Sequence, residues 1–304
     1  MTRRVALTGA SGFIGRHVIE HLAARGTDVV ALRRPFAGHT LRAALHGADV
    51  LVHLAGVVSA VREQEYFAAN VDGTRAVAEA ARAAGIPLIH ISSLAAAGPA
   101  SPRAPRSEDD APAPINAYGR SKLAGERVVA ALDGLRWTIL RPGVVYGPRD
   151  RALLPVFRLA QRGILPLVGR ADAAYTFIHV ADLVRVITAA VDSPAERDIL
   201  FVGHPDPVTT RDLLEGVRAT ANRRGSIVRI PLAITRLAAF GGDAAGILFG
   251  TRALINSRRY AELASEGFVC RVDRLRDRLG IVAEIGLTEG LADASTWYRR
   301  EGWL

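Results

Sequence analysis

The 304-residue sequence has one cysteine, one methionine and, among its basic residues, one lysine. A single Cys270 excludes an intrachain disulfide and any metal site built on clustered cysteines. No uninterrupted apolar run reaches the length of a membrane span, so no integral membrane segment is expected. Nor does a leader-like stretch precede the first apolar run, and the expected location is cytoplasmic. Long runs of like charge are also missing. The formal charge is +9 and the pI about 10.6, but the arginines are scattered, with pairs such as Arg33-Arg34 and Arg258-Arg259. That distribution argues for a solvated basic surface and against a nucleic-acid partner. With 49% hydrophobic and 23% charged residues, the composition is globular, and the length suits one domain or two closely joined ones.

The lone lysine is Lys122, within Tyr118-Gly-Arg-Ser-Lys122. A chain that writes every other positive charge as arginine needs a compact ammonium at this place, which a planar guanidinium cannot supply. On a helix, Tyr118 and Lys122 are i and i+4 and share a face. An ammonium beside a phenol favours phenolate and brings tyrosine toward acid–base work at ordinary pH. Two surface residues would satisfy the same spacing, so the remainder of the chain decides.

Near the N-terminus, Val5-Ala-Leu-Thr8 reads as a strand. A glycine turn follows (Gly9, Ser11, Gly12, Phe13, Ile14, Gly15), and then a helix that closes at Gly26. Strand, glycine turn and helix together form a cradle for a pyrophosphate, although the spacing is G-x-x-G-x-x-G. The next strand, Asp28–Leu32, ends in Arg33-Arg34 where an NAD-binding chain would carry a carboxylate. Arginine suits the 2′-phosphate of NADP, so NADP is the expected cofactor and NAD the alternative. Asp49–Gly56 reads as another buried strand, and its end (Leu54, Ala55, Gly56) is placed to pass the adenosine half. His53 reads as a packed strand residue, and Asn70 either pins nearby backbone or lies on a solvated face.

Ser92 and Ser93 end the strand Pro87–Ser93, at the carboxyl edge where open parallel sheets bind ligands. A Pro-, Ser- and acid-rich stretch, Gly98 to Asn116, reads as a loop and a plausible lid. Helix 118–131 and the strand Trp137–Pro142 follow. The pattern is α/β and predicts a doubly wound parallel (Rossmann) sheet with a smaller, mostly helical C-terminal substrate domain. Residues 1–150 and 177–203 form the first unit, and 151–176 and 204–304 the second. In the latter, Leu153–Arg162 and Thr210–Arg223 read as helices and Tyr175–Val180 as a strand. Ile230–Leu254, broken by Pro231 and glycines, reads as a packed apolar helix pair, with part of an apolar pocket or a membrane-surface contact as the alternatives. A last helix runs to Leu304.

These residues together resemble the extended short-chain dehydrogenase/reductase family, the NAD(P)-dependent epimerase/dehydratase group. The resemblance rests on Thr8–Gly15, His53-Leu-Ala, Ser92-Ser93, Tyr118-x-x-x-Lys122, Arg141–Pro148, Phe177–Asp182 and the terminal Trp297-Tyr-Arg, in that order. It implies that Tyr118 is the catalytic acid/base and that Lys122 lowers its pKa and binds the nicotinamide ribose. Ser93, chosen over Ser92 by its distance to Gly98, would hydrogen-bond the reacting oxygen. Pro142, Val144 and Val145 join the glycine turn, Tyr118 and Lys122 as implied cofactor contacts. No metal is implied.

Substrate class follows from departures. Family members acting on nucleotide sugars carry Asn where this chain has Val144, and Arg-Asp where it has Tyr175-Thr176; those groups contact the substrate's phosphates. Gly147–Pro155 instead resembles the steroid-dehydrogenase and dihydroflavonol-reductase-like branch. That resemblance implies a small-molecule secondary alcohol or ketone as substrate, with nucleotide-sugar epimerisation or dehydration as the alternative. A catalytically idle cofactor-binding scaffold fits less well, because the Tyr and Lys are both present. Residues 35–48 are too short for the family's usual third strand and the acidic residue after it, which implies a rebuilt adenine pocket. A homodimer through a helix pair that includes the Tyr-Lys helix is a further implication.

Overall fold

The structure, a computed structural model, describes residues 3–36, 38–194, 196–221, 225–230 and 265–304. The N-terminal half alternates strand and helix: β1 (Arg4–Thr8), α1 (Phe13–Ala24), β2 (Asp28–Leu32), α2 (Gly38–Ala44) and β3 (Val50–His53). Next come α3 (Glu63–Phe67), a wider π-type turn at Ala68–Asp72, α4 (Gly73–Ala84), β4 (Leu88–Ile91), α5 (Ala117–Ala130) and β5 (Trp137–Pro142). Five of these strands and β10 (Asp198–Val202) make one parallel sheet in the order β10-β5-β4-β3-β1-β2.

The strand sequences explain their places. Every residue of β3, β4 and β5 is buried, as both faces of an interior parallel strand require. Burial in β2 is partial, which suits its position at the sheet's edge. Residues 35–48 supply the short helix α2 in place of another strand, so β2 pairs with β1 alone. The resulting order reverses between β1 and β3, and open α/β sheets bind ligands at that crevice.

Helices cover both faces. Val18 and Leu22 of α1 pack with Leu183, Val186 and Ile187 of α7 (Val180–Asp192) on one side. Leu41 and Leu45, Val77 and Ala81 of α4, and Val129 of α5 fill the other. Each buried Val, Leu or Ile contributes about 1.5–3 kcal/mol relative to exposure.

Beyond β5 the chain leaves the sheet with β6 (Val144–Tyr146), α6 (Leu154–Gln161) and β7 (Ile164–Val168), the last paired in parallel with β12 (Ser226–Ile230). The strand expected over Tyr175–Val180 is split. β8 (Ala174–Tyr175) pairs with β11 (Val208–Thr209) and β13 (Gly267–Phe268), whereas β9 (Phe177–His179) pairs with β6. Thr176 sits at the break, donating its N–H to the Phe268 carbonyl and accepting from the Val144 N–H, so its backbone serves both small sheets. Helix α8 (Thr210–Thr220) starts at Thr209, whose hydroxyl and the Asp212 carboxylate form a reciprocal cap. A separate core under these elements is built from Phe157, Leu165, Leu167, Val217, Leu291 and Tyr298.

Residues 273–283, grouped by sequence with the second unit, pack elsewhere. Leu275, on the Asp273–Leu279 helix, and Ala283 are buried in the core beneath the main sheet. The apolar stretch after Ile230, through Leu254, lies outside the described residues, as do residues 260–264. Among the described residues, no helix is long and apolar enough to cross a membrane.

Candidate active site

At the carboxyl end of β1 the chain turns at Gly9, which has φ +74°. A Cβ there would lie 2.8 Å from the Ala55 backbone nitrogen, so only glycine lets the β1 and β3 turns meet this closely. Helix α1 starts from Gly12 without a side-chain cap, which leaves its first-turn N–H groups available to an anion. Gly9, Ser11 and Gly12 line a cavity of about 760 Å³ together with Arg33 and Arg34 on one side and Leu54, Ala55 and Gly56 on the other. Phe13 and Ile14 are half-buried in the first turn of α1, and Gly15 is buried beneath the turn.

Among the described residues no carboxylate pairs with Arg33 or Arg34; the Arg34 guanidinium lies 5.9 Å from the centre of the Phe36 ring, a further wall of the cavity. The glycine cradle and the open helix N-terminus fit the pyrophosphate of a dinucleotide, and the two guanidiniums stand beside them on the cavity wall.

Helix α5 is anchored by Asn116, whose side-chain oxygen accepts the Gly119 N–H at 2.7 Å. Gly119 also crosses the turn after Ser93 so tightly that a Cβ would collide with the Ala95 carbonyl oxygen. This close crossing brings Tyr118 beside Ser93. Both line a second cavity of about 230 Å³, whose other walls include Pro142, Val144, Tyr175 and Phe268. Ser93 accepts the Ala95 N–H through its hydroxyl, while Ser92 turns inward and donates to Glu126. Tyr118 is half-buried, with the Tyr66 ring centre 6.2 Å from its own. The Val145 side chain packs on the main core instead of this cavity.

Lys122 is buried one helical turn below Tyr118 and donates to the Ile91 carbonyl oxygen at 2.7 Å. That is its acceptor among the described residues, which leaves two of its three N–H donors for a ligand. A Cβ on Gly56 would come within 3.8 Å of its Nζ, so the ammonium lies at the edge of the cofactor cavity. Burial lowers its pKa to about 8, with the Glu126 carboxylate opposing that shift. His53 is fully buried between the Thr8 and Thr74 hydroxyls at 2.7 and 3.1 Å. Burial first, and the Lys122 charge second, pull its pKa down to about 3, and it is a neutral packing residue.

The Gly98–Asn116 stretch is a strap, not a free lid. The Ala100 and Arg106 N–H groups donate to the Gly267 and Val269 carbonyls, and Arg271 returns a bond to Arg106. The Glu108 carboxylate accepts the Phe201 N–H at 2.8 Å, capping the edge strand β10. These bonds hold β13, and with it Phe268, over the second cavity.

Three residues were missed at the level of sequence. Glu126 continues the Tyr118/Lys122 face at i+8, a signal present in the spacing. Arg141 is a charge inside the apolar strand β5, which demands a buried partner. Phe268 reaches the site through the pairing of β13 with β8, and the sequence carries no local sign of it. Among the described residues no three His, Cys, Asp or Glu side chains gather as around a metal ion.

Sheet, crevice and site define the class: a parallel-sheet, dinucleotide-binding oxidoreductase. Residues 5–203 match the model of the NAD dependent epimerase/dehydratase family. The chain belongs to that family and is an NAD(P)-dependent enzyme of the extended short-chain dehydrogenase/reductase type. It is similar to the ceramide reductase of Caulobacter vibrioides (strain NA1000 / CB15N), 30% identical over 99% of this chain and 96% of the relative. It is also similar to the 4-hydroxy-2-methyl-3-oxo-4-farnesyl-3,4-dihydroquinoline-1-oxide ketoreductase of Stigmatella aurantiaca, 28% identical over 95% of this chain and 94% of the relative. Among solved structures, MoeE5 in complex with UDP-glucuronic acid and NAD superposes with a TM-score of 0.79, at 27% identity over 98% of this chain and 99% of that one.

Proposed function

We propose that the protein is an NADP-dependent reductase or dehydrogenase acting on an apolar ketone or secondary alcohol. The observation that carries this reading is the wall of the cavity shared by Ser93 and Tyr118. Val144, Tyr175 and Phe268 stand there, and none of them offers a charge to a diphosphate. The relatives named for ceramide and for a farnesylated quinoline ketone support an apolar substrate body. Arg33 and Arg34, unpaired by acids among the described residues, support NADP over NAD.

In this reading Ser93 donates its hydroxyl to the substrate oxygen and holds it in line with Tyr118. When bound, the nicotinamide supplies the hydride to the carbonyl carbon. Tyr118 gives its phenolic proton to the oxygen, and the charge that develops on the phenolate is offset by Lys122. Lys122 also has donors left for the ribose hydroxyls. The reverse sequence oxidises the alcohol. The two-unit division, with residues 273–283 moved to the first unit, a cytoplasmic location and a homodimer through α5 belong to the same proposal.

The test is titration with NADPH and NADH, followed by ketones and nucleotide sugars screened at the reduced-nicotinamide absorbance band. The reading predicts tighter NADPH binding and net NADPH oxidation with apolar ketones. Tighter NADH binding would overturn the cofactor assignment. Inverted sugar product without net cofactor turnover would replace the reductase with an epimerase.

A further inference from the structure

Beneath the second cavity lies a buried polar network that the proposed chemistry does not use. Glu126 Oε1 accepts Arg141 Nε at 2.9 Å, and Oε2 accepts the Arg141 terminal nitrogen at 2.6 Å. Both side chains are almost fully buried. Ser92 donates its hydroxyl to the same carboxylate, and the Arg141 guanidinium lies 5.6 Å from the centre of the Phe201 ring. The network therefore ties α5 to the carboxyl ends of β4 and β5. Its ends touch the site on three sides: Ser92 lies between Ile91, which holds Lys122, and Ser93; Arg141 precedes Pro142; and Glu126 is one turn below Lys122.

Taking an Arg–Glu pair out of water carries a desolvation cost that its mutual attraction does not reliably offset, so stability alone is a weak reason for it. Lys122 supplies another reason. Its ammonium is buried, and the groups facing it from β3 and β4 are His53 and His90, both held neutral. Besides the Ile91 carbonyl that accepts its N–H, the Glu126 carboxylate is the charged group among the described residues that favours the charged lysine.

We infer that Glu126 is a positioning residue of the hydride-transfer site, locked in place by Arg141 and Ser92 so that its carboxylate keeps the buried Lys122 ammonium charged. The inference rests on the proposed role of Lys122. Arg141 satisfies both carboxylate oxygens and Ser92 fixes one of them, so Glu126 cannot swing to solvent. From this fixed place, one helical turn from Lys122, its charge acts on the ammonium. With Glu126 present, burial brings the lysine only to about 8, and the ammonium persists at neutral pH. Without the carboxylate only the Ile91 carbonyl bond offsets the same burial, and the proton leaves at lower pH.

Lys122 is the only lysine in the chain, so protein grown on ε-¹⁵N-lysine carries a single side-chain amine reporter. Its pH titration reads the charge with neither cofactor nor substrate present. Wild type is expected to titrate near 8 and Glu126→Gln about one unit lower, a typical lower bound for losing a nearby opposite charge. Glu126→Gln strands a buried guanidinium and can unfold the chain. The double variant Glu126→Met/Arg141→Met removes both charges into similar volume and keeps the fold. It still displaces the titration downward, by no more than Glu126→Gln does, because a neighbouring cation leaves with the carboxylate.

NADPH affinity, measured by reduced-nicotinamide fluorescence, should weaken as pH rises, with its midpoint displaced downward by the same amount in the double variant. A folded double variant whose Lys122 titrates as in wild type would overturn the inference, as would an unmoved midpoint. Failure of the underlying reading shows separately: Tyr118→Phe would then retain full turnover whatever the lysine resonance does.

Discussion

Asn70 and Val57 exchange two hydrogen bonds: the Val57 N–H donates to Asn70 Oδ1 at 2.8 Å, and Asn70 Nδ2 donates to the Val57 carbonyl at 3.0 Å. The same Nδ2 reaches Ser121 Oγ on α5 at 2.9 Å. One buried amide thus joins the β3 turn, a wall of the cofactor cavity, to the helix that carries Tyr118 and Lys122. Asn70→Ala should lower stability by about 1–3 kcal/mol, since the part-buried backbone groups of Val57 lose their partners. It should also weaken NADPH binding. Urea denaturation and fluorescence titration measure the two effects.

Lys122 links charge to stability in a defined direction. Its folded pKa, about 8, is below the ordinary 10.5, so the unfolded chain holds the proton over a range where the folded chain has released it. Below about 8 both states are protonated, and the contribution is flat. As pH rises from there to 10.5, the unfolded state binds more protons and the folded state gains stability, by up to about 3 kcal/mol. The stability of wild type minus that of Lys122→Met, from denaturant melts, should rise across this window and stay level beneath it.

Arg33 and Arg34 should discriminate the cofactors. Replacing both by alanine is expected to weaken NADPH binding by about 10–100-fold, the scale of one or two charge-assisted bonds to a phosphate. NADH binding should change by less than about twofold, because no 2′-phosphate is present to lose a partner. Parallel fluorescence titrations give both constants.

Phe268 and Val144 should set the preference for an apolar substrate. Phe268→Ala is expected to lower kcat/KM for a ketone substrate by at least about 10–200-fold, the range for one methylene of pocket contact. Val144→Asp should reduce it as well, by placing a carboxylate in that wall. Steady-state kinetics with NADPH saturating measures both.

Local patterns were legible because their causes are local. The glycine turn, the strand end at Arg33-Arg34 and the i, i+4 pair Tyr118/Lys122 each depend on a few adjacent residues, and the structure gathers them at one sheet edge. That no further strand stands between β2 and β3 among the described residues was legible as a length, since residues 35–48 have room for little more than the short helix α2. The unpredicted parts depend on distant pairing. Phe268 reaches the cavity only because β13 lies beside β8, and the strap at Gly98–Asn116 is held by carbonyls of residues 267–269. The break at Thr176 follows from two sheets competing for one backbone. The roles of Ser92 and Ser93 are separated by Glu126, which takes the first inward and leaves the second facing Tyr118.

In the proposed reaction Tyr118 moves the proton that accompanies hydride transfer. That role is tested most directly by Tyr118→Phe, assayed for NADPH oxidation with the ketone that wild type reduces, beside NADPH binding measured by fluorescence. Removing the hydroxyl should lower kcat by about 10²–10⁴-fold, the usual weight of general acid catalysis, with NADPH affinity within about twofold of wild type. Turnover at the wild-type rate would contradict it.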